Sequence, residues 1–133
     1  MNKTLSLKLA SDLNELERIE RFVLDTAKLA SCNSETKHNI MLVLTEAVTN
    51  AILHGNRQQP EKTVDVSADV SKDRIVLTVQ DQGDGFDPKK VPNPLDEKNI
   101  LKSSGRGVWL MQEFSDKVRF LDGGRKVVLI FDL

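Results

Sequence analysis

Residues 63–85 read TVDVSADVSKDRIVLTVQDQGDG, and the rest of the architecture can be built outward from them. Val64, Val66, Ala68 and Val70 share one face, while Thr63, Asp65, Ser67 and Asp69 share the other. The alternation returns in Ile75, Leu77 and Val79 after Ser71-Lys72-Asp73, which predicts a β-hairpin with one buried and one wet face. Asp81 falls on the same face as Ile75, Leu77 and Val79, so a carboxylate continues a core-facing row where the chain turns into Gly83-Asp84-Gly85. Such an acid can accept a hydrogen bond from the amino group of a flat heterocycle, and Gly83 and Gly85 let the ring approach the backbone. Taken alone, Asp-x-Gly-x-Gly reads more simply as a tight turn with an Asx cap.

Toward the N-terminus, Leu5, Leu7 and Leu9 alternate with polar residues as a half-buried strand does. Leu13, Leu16, Ile19, Val23, Ala27 and Ala30 then recur at helical spacing, with Asp12 and Glu15 placed for a capping box. Asn33-Ser34 is expected to end this helix and cap a second, running from about Glu35 to His54, with Gly55-Asn56 as its left-handed stop. Ile40, Leu44, Val48 and Ala51 form the apolar face of that helix, whereas Glu46, Asn50 and His54 make a narrow polar stripe between aliphatic neighbours. A carboxylate in such company is costly to bury unless it is paired or bound to a cation. The stripe therefore reads equally as the lining of a cleft or as an exposed helix face. As a cleft it offers a carboxylate and an amide one turn apart, suited to an activated hydroxyl and a magnesium ion.

Toward the C-terminus, residues 88–104 hold three prolines and no sustained period, which marks a long loop. Gly105-Arg106-Gly107 follows, at the start of a short helix expected from about Gly107 to Phe114, where backbone N–H groups can meet phosphate. Lys89, Lys90, Lys98, Lys102 and Arg106 against Asp96 and Glu97 give the loop a net +3 and leave −4 elsewhere, so positive charge gathers beside those glycines. A final hairpin joins Val118 and Phe120 to Val127–Leu133 through Asp122-Gly123-Gly124. Together these elements predict one domain over residues 1–133, an α/β (α+β) two-layer sandwich with helices on one face of a mixed, mainly antiparallel sheet.

Composition narrows the function. Nineteen basic and 20 acidic residues give a net charge of −1, which argues against a phosphate-backbone binder. Five Phe, one Trp and no Tyr leave no stacking platform for single-stranded nucleic acid. The single Cys32 cannot form an internal disulfide, and Met1–Leu13 alternates where a signal peptide would be continuously apolar, so a cytoplasmic protein with no membrane span is expected. No Gly-x-x-x-x-Gly-Lys-Ser/Thr occurs, and neither Gly83-x-Gly85 nor Gly105-x-Gly107 gains a third dinucleotide-type glycine. His38, His54 and Cys32 make no zinc constellation.

Glu46-Ala47-Val48-Thr49-Asn50-Ala51, Asp81-x-Gly83-x-Gly85-Phe86 and Gly105-Arg106-Gly107 resemble the N, G1 and G2 boxes of the GHKL, or Bergerat-fold, ATPases. Within that superfamily the chain is similar to the bacterial anti-sigma factor serine/threonine kinases, and the likeness follows the order of elements over nearly its whole length. The resemblance implies that Asn50 ligates magnesium and that Glu46 is the catalytic base or orients the attacking hydroxyl. It implies that Asp81 binds the adenine amino group in a pocket shaped by Gly83 and Gly85. Ser104, Gly105, Arg106 and Gly107 would hold the phosphates, under an ATP lid at about residues 88–104. Its implied cofactors are ATP and magnesium. Its implied partners are a STAS-type anti-anti-sigma protein as phosphoacceptor, a sigma factor, and a second copy in a homodimer. Where many members carry a threonine on the last strand, this chain reads Gly124-Arg125-Lys126-Val127. A regulatory module that binds nucleotide and controls its partner by occupancy alone would carry the same pocket, and joint retention of Glu46 and Asn50 favours the kinase.

Overall fold

In a computed structural model, described over residues 2–83 and 103–133 and by backbone alone at 103–106, five strands form one sheet against three helices. The strands are β1 (Lys3–Ala10), β2 (Thr63–Val70), β3 (Arg74–Gln80), β4 (Lys117–Leu121) and β5 (Lys126–Asp132). The helices are α1 (Glu17–Ala30), α2 (Ser34–Asn50) and α3 (Ser103–Phe114). Sheet order is β1-β2-β3-β5-β4 and every described pairing is antiparallel, where a mixed sheet was expected. The β4–β5 hairpin explains this, because it lays its second strand, not its first, beside β3.

Side-chain alternation organises the two layers. Leu7, Val66, Val79, Val127 and Phe120 lie in register across all five strands on the face toward the helices. Ser6, Ser67, Thr78, Val128 and Arg119 make the corresponding row on the opposite face. Ile40, Leu44 and Val48 of α2 are fully buried in the core with Leu77, Leu129, Ile19 and Val23. Each such side chain contributes roughly 1.5–3 kcal/mol by leaving water.

Helix boundaries follow local chemistry and correct the sequence reading in four places. A 3₁₀ turn at Leu13–Leu16 precedes α1; Asp12 accepts from the Asn14 N–H at 2.8 Å, but Glu15 reaches back to the Ala10 N–H at 3.0 Å and so closes no capping box. Ser31, at φ 52°, ends α1, and Asn33 caps α2 by accepting from the Thr36 N–H at 2.8 Å. Helix α2 runs on into a π-turn at Ala51–Gly55, and the left-handed residues that stop it are Arg57 and Gln58. Helix α3 starts at Ser103, so Gly105-Arg106-Gly107 lies within its first turns. Gly85 and residues 88–102 of the expected lid lie outside the described residues.

Candidate functional site

The polar stripe of α2 meets α3 at Gly107. A Cβ there would stand 2.8 Å from Asn50 Nδ2 and 3.2 Å from Glu46 Oε2, so the absent side chain is what lets α3 approach Glu46 and Asn50. Glu46 and Asn50 are half-buried while His54, last of the stripe, is exposed. Because α3 begins at Ser103, the N–H groups of residues 103–105 in its first turn have no partner within the helix. That end carries the positive pole of the helix.

Asp81 sits just beyond β3, where its N–H donates to the Arg125 carbonyl at 2.9 Å and its Oδ1 accepts from the Gly83 N–H at 2.8 Å. The carboxylate lies against Gly55, whose Cβ, if present, would overlap it. Burial holds the Asp81 carboxyl above the ordinary 3.8, partly offset by the Gly83 N–H and the nearby Arg125 and Lys62 charges. Gly83 in turn touches the Gly55 backbone. Gly55 thus serves close approach and not a left-handed stop. The π-turn widens the end of α2, with the Asn56 N–H donating to the Ala51 carbonyl at 2.8 Å, and so carries Gly55 to the Asp81 turn.

Sequence reading passed over the residues that fasten this turn. Asn56 is fully buried, and its Oδ1 accepts from the Gln82 N–H at 2.7 Å. Its Nδ2 donates to Ser11 Oγ and to the Thr63 carbonyl, each at 2.9 Å. Gln82 Oε1 accepts from the Thr63 N–H at 2.7 Å. An Asn after a helix-end Gly reads as turn chemistry, and nothing in the local spacing signals a buried amide. Cys32 lies away from these groups, its thiol pushed up by burial.

The structure thus joins these motifs by two close approaches, Gly107 to Glu46 and Asn50, and Asp81 and Gly83 to Gly55 at the end of the helix that carries Glu46 and Asn50. The set combines a carboxylate and an amide beside a helix start with a second carboxylate in a glycine-lined turn. Among the described residues no group of three or more His, Cys, Asp or Glu is arranged to hold a metal. A magnesium ion bound by one side chain together with phosphate oxygens needs no such group. The donor set and the Gly107 contact fit a nucleotide carrying that ion. Among the described residues no helix is long and apolar enough to cross a membrane.

Comparison with known proteins places this geometry. The family model described as the histidine kinase-like ATPase domain matches residues 9–131. Over 82 residues the chain is 39% identical to the anti-sigma F factor of Halalkalibacterium halodurans, covering 60% of this chain and 56% of that one. Over 96 residues it is 34% identical to the anti-sigma F factor of Clostridium perfringens, covering 68% and 69%. The match thus spans little more than half the length of the first relative. The crystal structure of the RsbU and RsbW domains of Rv1364c from Mycobacterium tuberculosis shares the fold, with a TM-score of 0.67 at 14% identity over 98% of this chain and 32% of that chain.

Fold and boxes thus define a histidine kinase-like ATPase domain. Within the GHKL superfamily, the chain belongs to the anti-sigma factor serine/threonine kinase family.

Proposed function

We propose that the protein is an ATP- and magnesium-dependent serine/threonine kinase acting as a cytoplasmic anti-sigma factor. It phosphorylates a STAS-type anti-anti-sigma protein, sequesters a sigma factor, and works as a homodimer built from a single 1–133 domain. The observation that carries this reading is the contact of Gly107 with both Glu46 Oε2 and Asn50 Nδ2. It supports a reading in which Glu46 is the general base and Asn50 the metal-binding amide, because both stand beside the first turns of the helix that would receive phosphate. The two relatives named anti-sigma F factor support the regulatory role.

When bound, ATP supplies the phosphoryl group and magnesium neutralises charge on its oxygens. Asn50 would hold the ion. Glu46 takes the proton from the incoming hydroxyl, while Ser104, Gly105, Arg106 and Gly107 hold the phosphates at the start of α3. Asp81 accepts from the adenine amino group in the pocket of Gly83 and Gly85, and that donor offsets the desolvation of its carboxylate. Such a site works by positioning and charge stabilisation.

Incubation with labelled ATP and the cognate anti-anti-sigma protein tests the proposal. Wild type transfers label, and Glu46→Gln transfers at least about a hundredfold less. Intact ATP binding with no transfer to any such protein overturns the kinase reading and is the result a non-enzymatic module gives.

A further inference from the structure

We propose that Asn56 is a positioning residue for the base-recognising carboxylate of Asp81, acting through the Gln82 peptide. The proposal rests on the reading of Asp81 as the acceptor for the adenine amino group.

Asp81 is gripped from both sides along the chain. Its own N–H is bonded to the carbonyl of Arg125, the residue before β5, and the next N–H, that of Gln82, is bonded to Asn56 Oδ1 at 2.7 Å. With both flanking peptides fixed, the side chain leaves the backbone in one direction, against Gly55 and onto the Gly83 N–H. The first grip is an extension of the β3–β5 ladder. The second depends on one side chain.

The orientation of that side chain is determined. Both Nδ2 hydrogens have acceptors, Ser11 Oγ and the Thr63 carbonyl, and Ser11 Oγ–H is itself spent on the Lys62 carbonyl at 2.6 Å. Rotating the amide would aim Nδ2 at the Gln82 N–H and Oδ1 at the Thr63 carbonyl, two like-against-like contacts in a fully buried place. The acceptor for Gln82 is therefore anchored to Thr63 at the start of β2 and to Ser11 just past β1. Removal of Asn56 leaves the Gln82 N–H without that acceptor and frees the peptide to rotate. Asp81 then leaves the place where it can meet the amino group.

A residue acting in this way changes discrimination between bases, beyond any change in stability. Calorimetry compares ATP with purine riboside 5′-triphosphate, which lacks the amino group, on wild type and on Asn56→Ala. Wild type prefers ATP by about tenfold. In Asn56→Ala the preference falls to within about twofold, because ATP weakens while the other nucleotide does not. Asn56→Asp keeps an acceptor for Gln82 but faces the Thr63 carbonyl, so it retains the preference despite lower stability. Should Asn56→Ala fail to fold, Ser11→Ala loosens the same amide and lowers the preference by about two- to threefold. A folded Asn56→Ala that keeps the wild-type preference, weakens both nucleotides alike, or is matched by Asn56→Asp overturns the positioning role alone. In the fallback, an unchanged preference in Ser11→Ala does the same. A wild type with no preference overturns the reading of Asp81, and this proposal with it.

Discussion

A Cβ on Gly83 would fall inside the carbonyl of Gly55, so the end of the π-turn and the Asp81 turn meet backbone to backbone. Backbone cannot move aside as the end of a side chain can. Gly83→Ala is therefore expected to cost about 1–3 kcal/mol in urea denaturation, and to weaken ATP binding in calorimetry as Asp81 is pushed from Gly55. Unchanged stability and affinity would show that the two segments are not held together.

Gly107→Ala should separate stability from function. The atoms nearest the added methyl are the ends of Asn50 and Glu46, which can shift, and alanine favours a helix interior over glycine by about 1 kcal/mol. The thermal midpoint should hold or rise. Phosphotransfer should nonetheless drop by at least about tenfold, since the displaced groups are the proposed base and metal ligand. Wild-type transfer rates in this variant would remove Gly107 from the site.

Asp81→Asn should trade the other way with pH. The folded-state carboxyl is raised above its ordinary 3.8, so the folded protein holds this proton more tightly than the unfolded chain does. Stability from this group is present below the ordinary value and is lost as pH rises through the raised one. Above that window the charged Asp81 is a burden that Asn lacks, and the Asn Oδ1 can still accept from the Gly83 N–H. Melting curves from acid to neutral pH should show Asp81→Asn gaining on wild type as pH rises, even though it binds ATP poorly. A difference that shrinks with rising pH contradicts the burial argument.

Asn33→Ala supplies a control away from the site. Losing the cap on the Thr36 N–H should cost about 1 kcal/mol in denaturant titration and leave nucleotide affinity unchanged.

The strands were legible because their period was unbroken. Val64 to Val70 and Ile75 to Val79 alternate cleanly, and the buried rows follow that alternation. Asp81 stood out for interrupting such a row. What escaped were effects of contact between segments distant in sequence. Gly55 looked like a helix stop because local chemistry permits one, whereas its need for no side chain comes from Asp81 and Gly83, about 26 residues away along the chain. Asn56 was missed for the same reason, as its partners lie on three other segments. The start of α3 at Ser103, not Gly107, shows helical backbone running through two glycines that local propensity disfavours.

Nucleotide binding underlies every step from geometry to kinase, and titration calorimetry with ATP and magnesium on wild type and Asp81→Asn examines it. Wild type should bind, and Asp81→Asn should bind at least about tenfold more weakly. No heat of binding to folded wild type, or equal affinity in the two proteins, would contradict the assignment of this site.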